Sequence, residues 1–259
     1  MKPKLSVVKI GGNIIENESA LCDFLTDFAA MEGYKILVHG GGRTATRIAE
    51  QLGVPAQMVG GRRITTRETL DVIVMVYGGL TNKNIVSLLQ SLDCNAIGLS
   101  GADGNTIVSD KRPVKDIDYG YAGDIKQVNA HAVKALLESN MTPVFCAITH
   151  DKRGQLFNTN ADTIASEVAI AMSEHFETSL YYCFEKKGVL RSIEDDNSVI
   201  EHINTEKYEQ LLAENIIADG MLPKMHNCFN ALQQHVSKVH IGLPGMIVGK
   251  ERLFTTLTL

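Results

Sequence analysis

The sequence predicts an α/β fold built on parallel strands, and three observations predict it. Residues 4–10 (K-L-S-V-V-K-I) and 35–39 (K-I-L-V-H) are short runs rich in Val, Ile and Leu, as in strands buried on both faces. Between them, residues 18–32 space apolar side chains three and four apart, the period of a helix packed on one side. Each run then opens onto glycines, Gly11–Gly12 after the first and Gly40–Gly41–Gly42 after the second. Strand, helix, strand at this spacing makes a right-handed crossover.

The first strand ends in Lys9. A lysine beside a glycine turn at the carboxyl end of a strand is suited to holding phosphate. Residues 18–32 begin with Glu18 and Ser19 and stop at Gly33, as a helix should. The H-G-G-G turn leads into a helix to about Leu52. Three glycines let a backbone approach a ligand and aim the helix's free N–H groups at an anion. A dinucleotide fold needs G-x-G-x-x-G after the first strand, and that spacing is missing. Q-M-V-G-G-R-R-I-T-T then predicts a hairpin carrying Arg62 and Arg63. A guanidinium fork suits a carboxylate, although a hairpin arginine is commonly a solvated surface residue.

Residues 67–92 predict the longest helix, with Leu70, Ile73, Val74 and Tyr77 on one face and Val72, Met75, Val76 and Leu80 on another. Two apolar stripes imply burial on both sides, against the core and against a second copy of the chain. A strand at 95–99, an irregular ribbon over 106–128, a helix at 129–140 begun by an Asn, and a strand at 142–148 follow. In L-F-N-T-N-A-D-T, Asn158 and Asn160 stand at the start of a helix with Asp162 in its first turn. Capping chemistry explains one Asn and the Asp, but not three polar residues at alternate positions. Beyond a boundary near 173–178 come a strand at 178–184, a helix at 205–215, a helix with Lys224 near its start, a strand at 237–241 and an edge strand near 253–257.

Composition narrows the function. The 259 residues are 44% hydrophobic, enough for one large domain or two lobes. With 25 basic and 30 acidic residues the net charge is −5, and no basic run favours nucleic acid. No uninterrupted apolar run approaches the roughly 20 residues of a membrane helix, so no membrane partner is expected. The N-terminus lacks a signal region, and five scattered cysteines suit reduced thiols, so a cytoplasmic protein is expected. The histidines show no metal-ligand spacing; His39 alone could flank the glycine turn.

K-I-G-G, H-G-G-G, G-R-R-I-T, N-T-N-A-D and I-A-D-G-M-L-P-K occur in this order between Lys9 and Lys224. Together they make the chain resemble the N-acetylglutamate kinases of the amino acid kinase family. The resemblance implies a three-layer α/β/α sandwich with a central, mainly parallel eight-stranded sheet. It implies an acylglutamate-binding, dimerising lobe over residues 1–175 and a nucleotide-binding lobe over 176–259. It also implies catalytic roles for Lys9, Asp162 and Lys224, and acceptor binding by Gly41, Gly42, Arg63 and Asn158. Gly11, Gly12, Gly188, Leu190 and Ile217 would approach ATP, which brings Mg²⁺ on its phosphates. The family's S/T-D-V-x-G turn reads F-E-K-K-G here, with Glu185 and Lys187 substituted. Arginine-inhibited relatives carry a helix before the first strand; Lys9 comes too early for one, so a homodimer without arginine feedback is expected.

The implied chemistry fits the residues. A carboxylate acceptor is already ionised, so catalysis reduces to bringing two anions together and neutralising charge on the γ-phosphoryl oxygens. Two lysines would do that, and an aspartate between them would relieve their repulsion. The alternatives are a kinase for N-succinylglutamate, carbamate or aspartate, or a non-catalytic amino-acid sensor of the same fold.

Overall fold

The computed structural model describes residues 2–192, 194–217 and 221–259. The two apolar runs are strands β1 (Lys4–Ile10) and β2 (Tyr34–His39), paired in parallel. A short helix, α1 (Gly12–Glu16), follows β1 directly. It is invisible in the sequence because five residues are too few to show a period. Helix α2 (Glu18–Ala30) starts where expected, capped by Asn17, whose side chain accepts the Ala20 N–H at 3.0 Å. Helix α3 (Gly42–Gln51) opens straight from the glycine turn. Strands β3 (Gln57–Val59) and β4 (Arg62–Ile64) form the expected hairpin, turned by Gly60 and Gly61 at φ 55° and 73°. Those left-handed values match the tight turn that glycine pairs favour.

The long helix is one continuous run but not one kind of helix. It comprises α4 (Arg67–Ile73), a π-helical segment (Val74–Thr81) and α5 (Asn82–Gln90). Leu70, Val72, Ile73, Val76 and Tyr77 are buried, whereas Met75 and Leu80 are 54% and 47% exposed. So the two stripes are not buried alike within the chain. By length and composition the run Arg67–Gln90 could cross a membrane. Its buried side chains instead fill the cores on both faces of the sheet.

Strand β5 (Ala96–Leu99) is followed by β6 (Ile107–Lys111) and β7 (Gly123–Val128), an antiparallel ribbon with a bulge at Val108/Ser109. Helix α6 (Ala130–Glu138) is capped by Asn129 as expected. The strand expected at 142–148 is broken at Ala147 into β8 (Thr142–Cys146) and β9 (Ile148–His150), which belong to different sheets. Strand β10 (Leu156–Asn158) and helix α7 (Ala161–Ser173) come next, then β11 (Glu177–Cys183) and β12 (His202–Ile203). Helices α8 (Thr205–Ala213) and α9 (Leu222–Gln233) precede β13 (Lys238–Gly242) and β14 (Thr255–Leu257). Residues 218–220, the A-D-G of the I-A-D-G-M-L-P-K motif, lie outside the described residues.

The main sheet has eight strands in the order β12-β14-β13-β11-β1-β2-β8-β5. Every pair is parallel except β13–β14. The strand near 253–257 is therefore not the edge; β12, too short to show in the sequence, lies outside it. A second sheet, β10-β9-β6-β7, stands beside the first. Successive residues of β1 serve opposite layers. Leu5 and Val7 pack with Val168 and Met172 of α7 and Phe229 of α9. Val8 and Ile10 pack with Phe24 and Phe28 of α2 and Ile85 of α5. That is the expected three-layer sandwich.

Candidate active site

Register aligns the strand ends. Ile10 of β1 stands opposite His39 of β2 and Cys183 of β11, so the turns at Gly11, Gly40 and Phe184 leave the sheet side by side. Carboxyl ends of parallel strands are where such folds bind ligands. Lys9 lies one residue before this rim, on the same layer as Leu5 and Val7, facing α7.

Asn160 caps α7, its side chain accepting the Thr163 N–H at 3.0 Å, and this places Asp162 in the first turn. Lys9 Nζ lies 2.7 Å from Asp162 Oδ1. Burial alone would raise the Asp162 carboxyl, but the charges of Lys9 and Lys224 outweigh it and hold the group below the usual carboxylate range. Lys224, in the first turn of α9, sits 4.4 Å over the Phe184 ring and 6.0 Å over that of Tyr182. Among the described residues it forms no ion pair. Its charge reaches Asp162 while its ammonium rests on an aromatic face.

A cleft of about 260 Å³ opens beside this cluster, lined by Gly40, Gly41, Gly42, Arg63, Asn158 and Ala161 among others. Arg63 is only 9% exposed; its Nη2 donates to the Gly42 carbonyl at 2.9 Å and to Thr46 Oγ1 at 2.7 Å. Asn158 ends strand β10 rather than starting α7, and its Nδ2 donates to Thr65 Oγ1 at 3.0 Å. Gly41 has φ 152°, and a Cβ there would lie 3.1 Å from the Tyr77 ring, so no side chain fits. The first turn of α3 has no side-chain cap, leaving its N–H groups free for an anion.

Sequence reasoning did not single out four further residues here. Tyr77 and Asn82 were hidden in an apolar helical pattern; Tyr77 lines the cleft against Gly41. Arg112 lines the cleft and is gripped by Asp124, its Nε and Nη2 donating at 2.9 and 2.6 Å. Arg62, noted only as half of a pair, also lines it.

The residues assigned to the nucleotide are less uniform. Gly12 is open: a Cβ there would meet nothing within 4 Å, and at Gly11 the nearest atom would be the Cys183 carbonyl oxygen at 3.9 Å. A Cβ on Gly188 would fall 2.6 Å from Thr255 Oγ1 and 3.0 Å from Thr255 N, so packing against β14 already demands glycine. Leu190 bridges to Val199, and Ile217 is buried at 2% exposure. In the altered turn, Lys186 and Lys187 donate to Asp196 and Asn197, each at 2.7 Å.

A mainly parallel sheet covered on both faces, with glycine turns and a lysine at its strand ends and an aspartate on the adjoining helix, is an arrangement suited to holding a phosphorylated small molecule. The chain belongs to the amino acid kinase family, whose model matches residues 4–242. It is 56% identical to an acetylglutamate kinase of Phocaeicola vulgatus over 247 residues, 95% of this chain and 96% of the relative. An acetylglutamate kinase of Bacteroides fragilis is 54% identical, with 95% of each chain covered. In fold alone, the chain matches a Neisseria gonorrhoeae N-acetylglutamate synthase complexed with coenzyme A and N-acetyl-glutamate. That match has a TM-score of 0.82 at 19% identity and covers 99% of this chain and 59% of the other.

Proposed function

We propose that this chain transfers the γ-phosphoryl group of ATP to the side-chain carboxylate of N-acetyl-L-glutamate, giving ADP and the acyl phosphate, in arginine biosynthesis. One observation carries the reading: Asp162, paired with Lys9, directly follows Ala161, which lines a cleft holding a buried arginine and an uncapped helix start. The acceptor's side-chain carboxylate lies against the N–H groups of Gly41 and Gly42. Arg63 takes its α-carboxylate, and Asn158 hydrogen-bonds its main-chain portion. An acceptor oxygen attacks the γ-phosphorus while the bond to the ADP oxygen breaks. Lys9 and Lys224 neutralise charge on the transferring group, and Asp162 keeps both lysines in place. Gly11 and Gly12 admit the phosphates, and Gly188, Leu190 and Ile217 shape the nucleotide lobe. Mg²⁺ comes with ATP and offsets phosphate charge; Asp162 is already engaged by Lys9.

Residues 1–175 form the acceptor lobe and 176–259 the nucleotide lobe, each contributing one lysine. The enzyme works in the cytoplasm as a homodimer that covers the exposed Met75 and Leu80. Sedimentation at micromolar concentration tests this, and a monomer there refutes it.

A second reading concerns the acyl group. Arg62 and Arg112 line the cleft in addition to Arg63. N-acetylglutamate brings two carboxylates, whereas N-succinylglutamate brings a third, for which Arg62 is the added cation because Arg112 is already paired with Asp124. A hydroxamate assay with ATP and N-acetylglutamate, N-succinylglutamate, glutamate, carbamate or aspartate decides. Product with N-acetylglutamate supports the first reading, product with N-succinylglutamate alone the second. No acyl phosphate from any acceptor leaves a sensor.

A further inference from the structure

His39 is a titratable residue that phosphoryl transfer has no use for, yet it is fully buried beneath the acceptor's glycine turn. Both ring nitrogens are engaged. Nδ1 lies 2.8 Å from the Gly40 carbonyl and Nε2 lies 3.0 Å from Asn82 Nδ2. An amide nitrogen only donates, so Nε2 accepts, and the ring proton sits on Nδ1 and points at Gly40 O. The amide's orientation is fixed from its other side. Asn82 Nδ2 also donates to the Val144 carbonyl at 2.9 Å, and Asn82 Oδ1 accepts from Lys83 Nζ at 3.1 Å. Turning the amide over would set its NH₂ against the ammonium and its oxygen against a carbonyl. Burial pushes the ring pKa down to about 4; the Gly40 bond opposes this and the Lys83 charge adds to it, so the ring is neutral at working pH.

Two other features are built around this relay. On β5, a Cβ at Gly98 would lie 2.7 Å from Lys83 Nζ and 2.9 Å from Asn82 Cγ, so the strand omits a side chain where the amide sits. Asn82 follows the π-helical segment, and its N–H is shared between the Gly79 and Tyr77 carbonyls. Residues five apart diverge around an α-helix, but an i→i+5 turn brings them to one side. Tyr77 thereby packs on Gly41 while Asn82 grips His39.

We propose that Asn82 is a positioning residue for the acceptor: through the Nδ1–H tautomer of His39 it fixes the Gly40 carbonyl and so aims the Gly41 N–H into the cleft. Gly40 C=O and Gly41 N–H belong to one planar trans peptide and point in opposite directions, so gripping the oxygen sets the hydrogen. Moving the ring proton to Nε2 puts the Nδ1 lone pair against Gly40 O and favours a flipped peptide. Gly41, lacking a side chain, resists such a flip little.

This inference rests on the acylglutamate kinase reading, and the test separates the two. Asn82→Asp keeps the side chain's size but replaces the donor with an acceptor, which draws the ring proton to Nε2. Long-range ¹⁵N NMR of the intact protein should show His39 as Nδ1–H in the wild type and as Nε2–H in Asn82→Asp. In the kinase assay the acceptor KM should rise about 10- to 100-fold while KM for ATP stays within about twofold, as expected when one binding group is misaligned. Leu137→Ala, a core truncation in α6 on the opposite layer, should lower Tm without altering the ratio of the two KM values. His39→Phe removes the Nδ1 donor to the Gly40 carbonyl outright and carries the same kinetic test if Asn82→Asp fails to fold. Wild-type His39 found as Nε2–H, or both KM values moving together as in Leu137→Ala, overturns the proposal. A wild type that phosphorylates no acylglutamate defeats the functional reading, while the tautomer and its response to Asn82→Asp are still read without turnover.

Discussion

The Lys9 ammonium lies 2.7 Å from the Asp162 carboxylate, tying a central strand to the first turn of the helix that borders the cleft. Asp162 is thereby kept ionised although burial opposes it. Lys224 adds to the same effect from α9 while lying on Phe184. Two cations of one site thus have different anchors, one ionic and one aromatic, and the first prediction follows from that difference.

Lys9→Ala and Lys224→Ala should each lower kcat about 10²- to 10³-fold, the usual cost of losing one preorganised group at the developing charge. Only Lys9→Ala should also lower Tm clearly, because it strands a carboxylate that Lys224→Ala leaves paired. Turnover near the wild-type level in either variant would exclude that lysine from the reaction.

Asp162 should make its stabilising contribution only while ionised. Its folded pKa lies below the unfolded value, so the contribution is complete above about pH 4 and disappears as pH falls through the folded value. Urea unfolding should show Asp162→Asn less stable than the wild type at pH 7, with the gap narrowing below about pH 4. A gap that stays constant across this range would mean the carboxylate is not coupled to the lysines.

Buried histidines set a second acid window. His39 and His240 are both pushed down to about 4, chiefly by burial, with Lys83 and Lys238 adding to it. The unfolded chain binds these protons first, so stability is full above about pH 6.5 and falls as pH drops toward 4. His39→Gln should flatten that slope by roughly one proton's worth, about 1.4 kcal/mol per pH unit at most. An unchanged slope would show that His39 titrates normally.

Arg63→Lys should raise the acceptor KM about 10- to 100-fold with kcat less affected, since hydrogen bonds to charged groups contribute roughly 1.5–3 kcal/mol. The guanidinium already donates to Gly42 O and Thr46 Oγ1, and a single ammonium cannot hold those and grip a carboxylate bidentately. Unchanged acceptor KM would place the acceptor elsewhere.

Gly188→Ala should destabilise the fold by about 1–3 kcal/mol through overpacking. The added methyl meets Thr255, whose hydroxyl accepts from Val189 N and donates to the Ile200 carbonyl, both at 2.8 Å. Thermal unfolding measures it; a variant as stable as the wild type would show that β14 yields.

Much of the fold was legible because local rules acted alone. The β1 and β2 runs, the caps at Asn129 and Asn160 and the Gly60–Gly61 turn all stand where residue chemistry puts them. The rest depended on tertiary context. Nothing in T-P-V-F-C-A-I tells that Ala147 passes the chain from one sheet to another. The pair His202–Ile203 becomes a strand only because β14 offers an edge. The site divides in the same way. Gly41 and Arg63 announce themselves by type, whereas the Lys9–Asp162 contact was legible only through resemblance, being far apart in the chain. Tyr77 and Asn82 were unreadable because a π-helical turn breaks the very period by which helix faces are assigned.

Strand β1 has one neighbour close in sequence, β2, and one very distant, β11. During synthesis, β1 and β2 can pair early, but one side of β1 stays bare until residues 177–183 emerge. Such distant pairing is slow, since a long loop must close before any contact rewards it. A bare strand edge in that interval is a template for mispairing with other chains. The rim that carries Lys9 is thus also where the nascent chain most needs shielding.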